Sequence, residues 1–246
     1  MPSLFARIGL SPSLVTAGAV GLAVAGLFIG GRANAERIGP VVQIPPPALD
    51  EPATKGSETA IFAGGCFWGI QGVFQHVKGV ESAISGYAGG TVDSPSYEQV
   101  SSETTGHAES VKVTFDPSQV TYGKLLQVFF SVAHDPTELN HQGPDMGTSY
   151  RSALFTMTDE QAKVAKAYIA QLDAAKAYSN KIVTEVTPYA NFFRAEDYHQ
   201  DAATTININP GYIEYFDIPK IAALKATFPA LYRDKPVLVF ASNARS

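Results

Sequence analysis

The amino-acid sequence predicts a two-layer α/β (α+β) sandwich. Short apolar segments, bounded by glycine or proline, alternate with segments whose apolar residues recur at helical spacing. The first six elements run in the order β-α-β-β-α-β, which is typical of a ferredoxin-like core, and additional helices and a strand follow. With 246 residues, 45% of them hydrophobic, the chain is long enough to bury one sizeable core.

Strands are predicted where apolar residues alternate or run together between turn residues. The clearest strand covers 110–115, where Val111, Val113 and Phe115 share one face and Asp116-Pro117 ends the pattern. The predicted strands span 59–63, 80–87, 110–115, 152–157 and 181–186.

Helices are predicted where the apolar period lengthens. From Ile70 to Val77 the apolar residues follow i, i+3, i+4 and i+7. Thr158 and Gln161 fit a capping box that opens a helix to about Tyr178. Further helices are predicted over 125–132 and 195–205.

Residues 1–35 are predicted to be a signal peptide or a membrane anchor. No charged residue lies between Arg7 and Arg32, and Ala33-Asn34-Ala35 is an A-x-A cleavage pattern. Cleavage near Ala35 would leave a periplasmic or secreted protein. The alternative is an uncleaved anchor, because the uncharged stretch is long enough to span a bilayer. Either way, the remainder of the chain is expected outside the cytoplasm.

Proline-rich residues 36–56 are predicted to be an extended linker, so the folded domain is expected over 57–246. The formal net charge is −5, and both signs are spread along the chain without a basic stripe, which argues against a nucleic-acid partner. The single cysteine excludes an internal disulfide and a multi-cysteine zinc site.

That cysteine, Cys66, is the first candidate for chemistry. It lies where the first strand gives way to the first helix, so unpaired N–H groups and the helix dipole should favour its thiolate and lower its pKa. The preceding Gly64-Gly65 would let another molecule approach the backbone closely. The alternative interpretation is a small buried hydrophobic residue.

Glu109 is the second candidate, because residues two apart in a strand share a face. It therefore lies on the face of Val111, Val113 and Phe115, at its entrance end. A desolvated carboxyl has a raised pKa and can act as a general acid near neutral pH. The alternative is a strand-end glutamate that reaches water.

Four aromatic residues are further candidates. Phe67 and Trp68 are neighbours at a helix start and cannot both face the core, so at least one should line a cleft beside the thiol. Tyr97 and Tyr150 lie in turn-rich segments and could donate phenol hydrogen bonds to a polar ligand group. For all four, packing alone is the alternative.

Seven motifs in register resemble the peptide methionine sulfoxide reductase A family over roughly residues 59–212. They are Gly64-Gly65-Cys66-Phe67-Trp68-Gly69, Gly86-Tyr87-Ala88-Gly89-Gly90, Ser96-Tyr97, Gly106-His107-Ala108-Glu109, His134-Asp135-Pro136, the segment from Gly143 to Ser152, and Ala195-Glu196-Asp197-Tyr198-His199-Gln200.

The resemblance implies a reaction and a set of roles. Cys66 would attack the sulfur of a methionine S-sulfoxide, free or in a protein, and become a sulfenic acid. Glu109 would protonate the sulfoxide oxygen, while Tyr97 and Tyr150 hydrogen-bond it. Phe67 and Trp68 would hold the substrate methyl group, and Asp145 occupies the position of a supporting polar residue. No metal or organic cofactor is implied.

The sequence departs from the family pattern after Asn209-Pro210-Gly211-Tyr212. Many members carry resolving cysteines there, but Ile213 follows and no cysteine occurs to the end of the chain. An external thiol must then regenerate Cys66, which puts direct recycling by thioredoxin through an internal disulfide in doubt. The expected reductant is a glutaredoxin-type system with a small thiol, or an extracytoplasmic thioredoxin-type partner.

Two other function classes fit the same cysteine. A cysteine hydrolase would pair Cys66 with a histidine base, the candidates being His107, His134, His141 and His199. A secreted binding module would capture oxidised peptides without turnover and leave Glu109 idle.

Overall fold

Six strands form one sheet in a computed structural model that describes residues 41–52, 54–206 and 208–240. The order across the sheet is β7-β6-β1-β3-β2-β8, and all neighbours are antiparallel except β6 and β7. A separate hairpin pairs β4 with β5. The strands are β1 (Glu58–Gly64), β2 (Val80–Ala88), β3 (Ala108–Phe115), β4 (His141–Gln142), β5 (Asp145–Met146), β6 (Ser152–Thr156), β7 (Glu185–Pro188) and β8 (Phe192–Arg194).

The helices bury their apolar residues in one cluster with one face of this sheet. That face presents Phe62, Val111, Val113 and Phe115, whereas a smaller cluster built mainly of alanines covers the other face. The described α-helices are α1 (Phe67–Gln75), α2 (Tyr97–Ser101), α3 (Tyr122–Val128), α4 (Asp159–Ala174), α5 (Ala202–Thr205), α6 (Pro210–Tyr212) and α7 (Ile218–Thr227). The predicted mixed α/β class is confirmed.

Two predicted elements differ most from the structure. Strand β7 begins at Glu185, later than the predicted 181–186, because Ile182 enters the core and the Val183 N–H bonds to Pro136 O instead of to β6. The predicted helix over 195–205 is wrong: a 3₁₀ turn at Asp197–His199 and the short α5 replace it.

Long-range pairing explains the broken helix. The side-chain amide of Gln200 accepts from Ser85 N–H and donates to Ser85 O, at 3.0 and 2.9 Å, as a neighbouring strand would. Asp201 then takes a left-handed φ of 58°, which a continuous helix does not allow. Tertiary contacts with β2 therefore outweigh the local helical pattern.

The proline-rich segment packs against the domain instead of leaving it as a free linker. Val42 exchanges hydrogen bonds with Ser131, and the Tyr168 hydroxyl donates to Pro45 O at 2.6 Å. Asp50 accepts from Gly123 N–H at 2.8 Å and so caps the start of α3. The predicted boundary at residue 57 is therefore too late, because residues 42–50 belong to the folded domain.

The predicted signal peptide or anchor, residues 1–35, lies outside the described residues. Within the described part of the chain, no helix has the length and apolar content needed to cross a bilayer.

Candidate active site

Cys66 is the N-cap residue of α1, directly after the end of β1. The strand carries the chain through the core, and Gly65 turns it with a φ of 94° so that α1 can begin. The thiol is buried, with 8% of the residue exposed, and the main-chain N–H of Trp68 hydrogen-bonds to it. The predicted location of Cys66 at a strand-to-helix junction is confirmed.

The two preceding glycines make room for the protein's own side chains. A Cβ at Gly64 would lie 2.8 Å from the ring of His134, and one at Gly65 would lie 2.5 Å from Gln142 Cγ. Gln142 in turn bonds the main chain of Asp135 through both ends of its amide. The expectation that these glycines admit another molecule is therefore wrong, because internal packing fills the space.

Burial reverses the expected ionisation of the thiol. Desolvation raises the pKa of Cys66 well above its usual value, and the nearby carboxyls of Glu109 and Asp217 raise it further. The Trp68 N–H and the Lys220 ammonium lower the pKa of Cys66, but by less. The prediction of a lowered pKa is wrong, because it counted the helix start and omitted the desolvation.

Glu109 lies on the core face of β3, as its parity predicts. It is 3% exposed, and its Oε2 accepts from Phe67 N–H at 2.9 Å, which ties the carboxyl to the first turn of α1. Burial raises the pKa of Glu109 to about 8, against the lowering effect of that hydrogen bond. The carboxyl thus keeps its proton at neutral pH, beside the thiol.

Phe67 and Trp68 both belong to the buried core, contrary to the expectation that neighbours at a helix start cannot both face it. Every residue of α1 is buried, because the segment after β8 covers the side of the helix that faces away from the sheet. The ring of Phe67 lies 5.0 Å from that of His199, and the indole Nε1–H of Trp68 donates to His199 Nδ1 at 3.0 Å. The rings of Tyr212 and Trp68 are nearly perpendicular, with 5.9 Å between their centroids.

Tyr97, the first residue of α2, and Tyr150, in the 3₁₀ turn before β6, reach the same site. Both are half-buried; burial raises the pKa of each phenol, and the nearby Glu109 and Cys66 raise it as well. Glu196 accepts from Tyr97 N–H at 2.8 Å, and Glu103 accepts from Ser149 N–H at 2.9 Å beside Tyr150. These two carboxylates therefore fix the segments that present the phenols.

Asp145, on β5, accepts a hydrogen bond from the Tyr212 hydroxyl. Burial raises the pKa of Asp145, and the charge of Lys220 lowers it. The aspartate thus joins the β4–β5 hairpin to the C-terminal segment next to Trp68.

The four candidate histidine bases have other partners. His107 bonds Gly90 N–H and Val92 O, His134 bonds Ser152 Oγ at 2.8 Å, and His199 accepts from Trp68. His141 is half-exposed beside Glu138. No nucleophile-and-base pair of the hydrolase type is formed by these described residues.

The structure brings all seven predicted site residues together around the start of α1. It adds residues to which sequence reasoning gave no role in this site, Glu103, Glu196, Tyr212, Asp217 and Lys220, and it pairs His199, considered above only as a base for Cys66, with Trp68. Of these, only Glu196, His199 and Tyr212 lie in motifs that the sequence singled out. Nothing local marks Asp217 or Lys220, which lie about 150 residues from Cys66 in sequence.

Comparisons with known proteins agree on one family. The family model described as peptide methionine sulfoxide reductase matches residues 58–230. Peptide methionine sulfoxide reductase MsrA 2 of Mesorhizobium japonicum is 60% identical over 195 residues, covering 79% of this chain and 100% of that protein. MsrA 2 of Synechocystis is 46% identical over 77% of this chain and 86% of that protein.

Solved structures point the same way. Methionine sulfoxide reductase A of Corynebacterium diphtheriae is 34% identical with a TM-score of 0.55, covering 70% of this chain and 88% of that one. Reduced Mxr1 of Saccharomyces cerevisiae is 34% identical with a TM-score of 0.56, covering 65% and 91%. The chain therefore belongs to the peptide methionine sulfoxide reductase family and is an oxidoreductase that acts on methionine sulfoxide.

Proposed function

We propose that this chain reduces the S epimer of methionine sulfoxide, free or in oxidised proteins, with Cys66 as nucleophile and Glu109 as general acid. One observation supports this above all: a buried thiol shares its site with a buried carboxyl that keeps its proton up to about pH 8. Attack on a sulfoxide needs both groups at once, because the oxygen becomes a leaving group only when it gains a proton.

The first step transfers the sulfoxide oxygen to Cys66. The Cys66 thiolate attacks the sulfoxide sulfur, Glu109 delivers its proton to the sulfoxide oxygen, and that oxygen passes to Cys66. Methionine leaves with its sulfur reduced by two electrons, and Cys66 becomes a sulfenic acid. Because desolvation opposes the free thiolate, Cys66 loses its proton only as substrate binds, and that proton restores Glu109. Thiol and sulfoxide thus give sulfenic acid and methionine with no net change in protons.

The two phenols and the aromatic pair would bind different parts of the substrate. Tyr97 and Tyr150 face Glu109 and Cys66, where charge would build on the sulfoxide oxygen, and would donate hydrogen bonds there. Phe67 and Trp68 would hold the methyl group, with Asp145 supporting the pocket through Tyr212.

An external thiol closes the cycle. Cys66 is the single cysteine of the chain, so no second thiol is available for an internal disulfide. One thiol of a glutaredoxin- or thioredoxin-type system attacks the sulfenic acid and releases water, and a second releases Cys66 and leaves as disulfide. The reaction as proposed needs no metal or organic cofactor.

Location and topology complete the proposal. We place the enzyme outside the cytoplasm, secreted or periplasmic after cleavage near Ala35, or anchored there; N-terminal sequencing of the protein from fractionated cells decides between these fates.

We also propose a ferredoxin-like core, supported by the order β6-β1-β3-β2, in which all neighbours are antiparallel.

Separate assays with the two sulfoxide epimers test the proposed function. With dithiothreitol as reductant, the S epimer should yield methionine while the R epimer yields none. Cys66→Ser should abolish product, and Glu109→Gln should slow its formation about 100-fold, as loss of a matched proton donor does. Equal use of both epimers, or an active Cys66→Ser variant, would overturn the proposal.

A further inference from the structure

A buried ion pair lies beside the thiol and is not used in the mechanism above. Asp217 is fully buried, and neither of its carboxylate oxygens has a hydrogen-bond partner among the described residues. The nearest cation is Lys220 Nζ, 3.8 Å from Asp217 Oδ1 and itself almost wholly buried. At that distance the two charges attract each other, but the carboxylate remains incompletely satisfied.

Both charged groups pack against the first turn of α1. A Cβ placed on Gly69 would lie 2.3 Å from Asp217 Oδ1 and 3.0 Å from Lys220 Nζ, so the two side chains fill the space that Gly69 leaves. Residues three apart lie on the same face of a helix, so this space is on the side of Cys66. The pair is therefore held against the turn that begins with the thiol.

Stability alone gives little reason for this pair. Burying two charges costs several kcal/mol each, and apolar replacements of buried ion pairs are often neutral or stabilising, as a general estimate. A buried pair beside a reactive thiol can instead set the charge of that thiol, because electrostatic interactions are stronger in a low-dielectric interior.

We propose that Asp217 and Lys220 are positioning residues that set the ionisation of Cys66, with Lys220 favouring the thiolate and Asp217 opposing it. This inference rests on the proposed function, in which Cys66 is the nucleophile. The directions of the Cys66 pKa shifts caused by the two charges agree with it.

Other groups also face Cys66, and they still influence its ionisation when Asp217 or Lys220 is replaced. They are Glu109 from β3, Tyr97 from α2, Tyr150 from the turn before β6 and Tyr212 from α6. None of them carries a positive charge, so Lys220 is the cation among these described groups that can stabilise sulfur anions. It would do so twice: when Cys66 attacks, and when Cys66 leaves the mixed disulfide with the external thiol.

The test is the pH dependence of Cys66 alkylation by iodoacetamide in the full-length protein, where a single cysteine gives a single labelled site. The midpoint of this pH dependence is the pH at which the alkylation rate is half its maximum. Lys220→Met should raise the midpoint by about one pH unit, so alkylation at any fixed pH below the midpoint becomes about ten-fold slower. Asp217→Asn should lower the midpoint, Lys220→Arg should keep it near the wild-type value, and the double variant should fall between the single ones.

Lys225→Met is the matched control, because Lys225 is on the same helix but exposed and pairs with Asp234. Shifts of both single variants in the same direction, or no shift in either, would overturn the inference. If Lys220→Met does not fold, Asp217→Asn decides alone: a lower midpoint supports the inference, and an unchanged or higher one refutes it.

Alkylation needs no sulfoxide, so the two proposals fail separately. If Lys220→Met and Asp217→Asn shift the alkylation midpoint in opposite directions but the wild type makes no methionine, the proposed function is refuted and the role of Asp217 and Lys220 stands. Normal turnover without such shifts would refute only the inference.

Discussion

The indole Nε1–H of Trp68 donates a hydrogen bond to Nδ1 of His199 across 3.0 Å. Burial lowers the pKa of His199 to about 4, so the imidazole is neutral at pH 7 and its Nδ1 can accept this bond. The bond joins the helix of the nucleophile to the turn that follows β8. It fixes the orientation of the ring that we propose holds the substrate methyl group.

Replacing His199 with phenylalanine should loosen that ring. The variant keeps an aromatic ring in the cluster but loses the acceptor, so KM for the sulfoxide should rise about ten-fold, as expected for loss of a good hydrogen bond, and kcat should change less. Trp68 is the single tryptophan of the chain, so its fluorescence reports the change directly.

Tyr198→Phe is the control for that variant, because Tyr198 is half-exposed and the change retains its ring and removes only the hydroxyl. Its fluorescence and kinetics should match those of the wild type. An unchanged KM and emission spectrum in His199→Phe would contradict a positioning role for His199.

Glu109 should give the single-turnover rate an alkaline limit. The carboxyl donates a proton only while protonated, so the rate should fall as the pH rises through about 8. Stopped-flow measurements from pH 6 to pH 10 follow this limb, and Glu109→Gln should lack it. A wild-type rate that stays constant to pH 10 would exclude Glu109 as the acid.

The same carboxyl should make stability depend on pH. Its pKa is raised on folding from 4.5 to about 8, so its stabilising effect is complete below pH 4.5 and is lost as the pH rises through that window. The loss is at most about 1.4 kcal/mol of unfolding free energy per pH unit. Urea titrations at several pH values should show that the unfolding free energy of Glu109→Gln falls less steeply with pH than that of the wild type, while the exposed control Glu98→Gln follows the wild type. Equal pH dependence in Glu109→Gln and the wild type would refute the raised pKa of Glu109.

Gly69→Ala should destabilise the protein by about 1–3 kcal/mol, the usual cost of overpacking. Its Cβ would come within 2.3 Å of Asp217 Oδ1, and adding Asp217→Ala should recover part of the loss. Gly211→Ala is the control, because nothing lies within 4 Å of a Cβ there. Equal unfolding midpoints for the two single glycine variants would show that the space beside Gly69 is not filled.

Asp50→Ala should lower the unfolding free energy by about 1–2 kcal/mol, because it removes the acceptor of Gly123 N–H at the start of α3. The exposed Asp93→Ala should stay within about 0.5 kcal/mol of the wild type. Denaturant unfolding of the two variants compares them directly. No difference between them would show that the bond from Gly123 N–H to Asp50 does not contribute to stability.

Local periodicity predicted the part of the site that lies within single elements. The parity of Glu109 with Val111 and Val113 placed its carboxyl on the core face, and the pattern from Ile70 to Val77 placed Cys66 at a helix start. Both arguments depend only on residues close together in sequence, so they hold regardless of the rest of the fold.

The burial of the site depends on contacts between residues that are far apart in sequence. The buried state of Trp68 follows from contacts with His199 and Tyr212, more than 130 residues away, and the high pKa of Cys66 follows from that same burial. Gln200 shows why the pattern failed there: its side chain satisfies the main chain of Ser85, an interaction with no local signature.

The most direct test of the central role of Cys66 is a single turnover with S-methionine sulfoxide and no added reductant. We expect one equivalent of methionine per enzyme, with Cys66 trapped as a sulfenic acid by dimedone and located by mass spectrometry. Methionine beyond one equivalent, or one equivalent formed while Cys66 remains a free thiol, would contradict it.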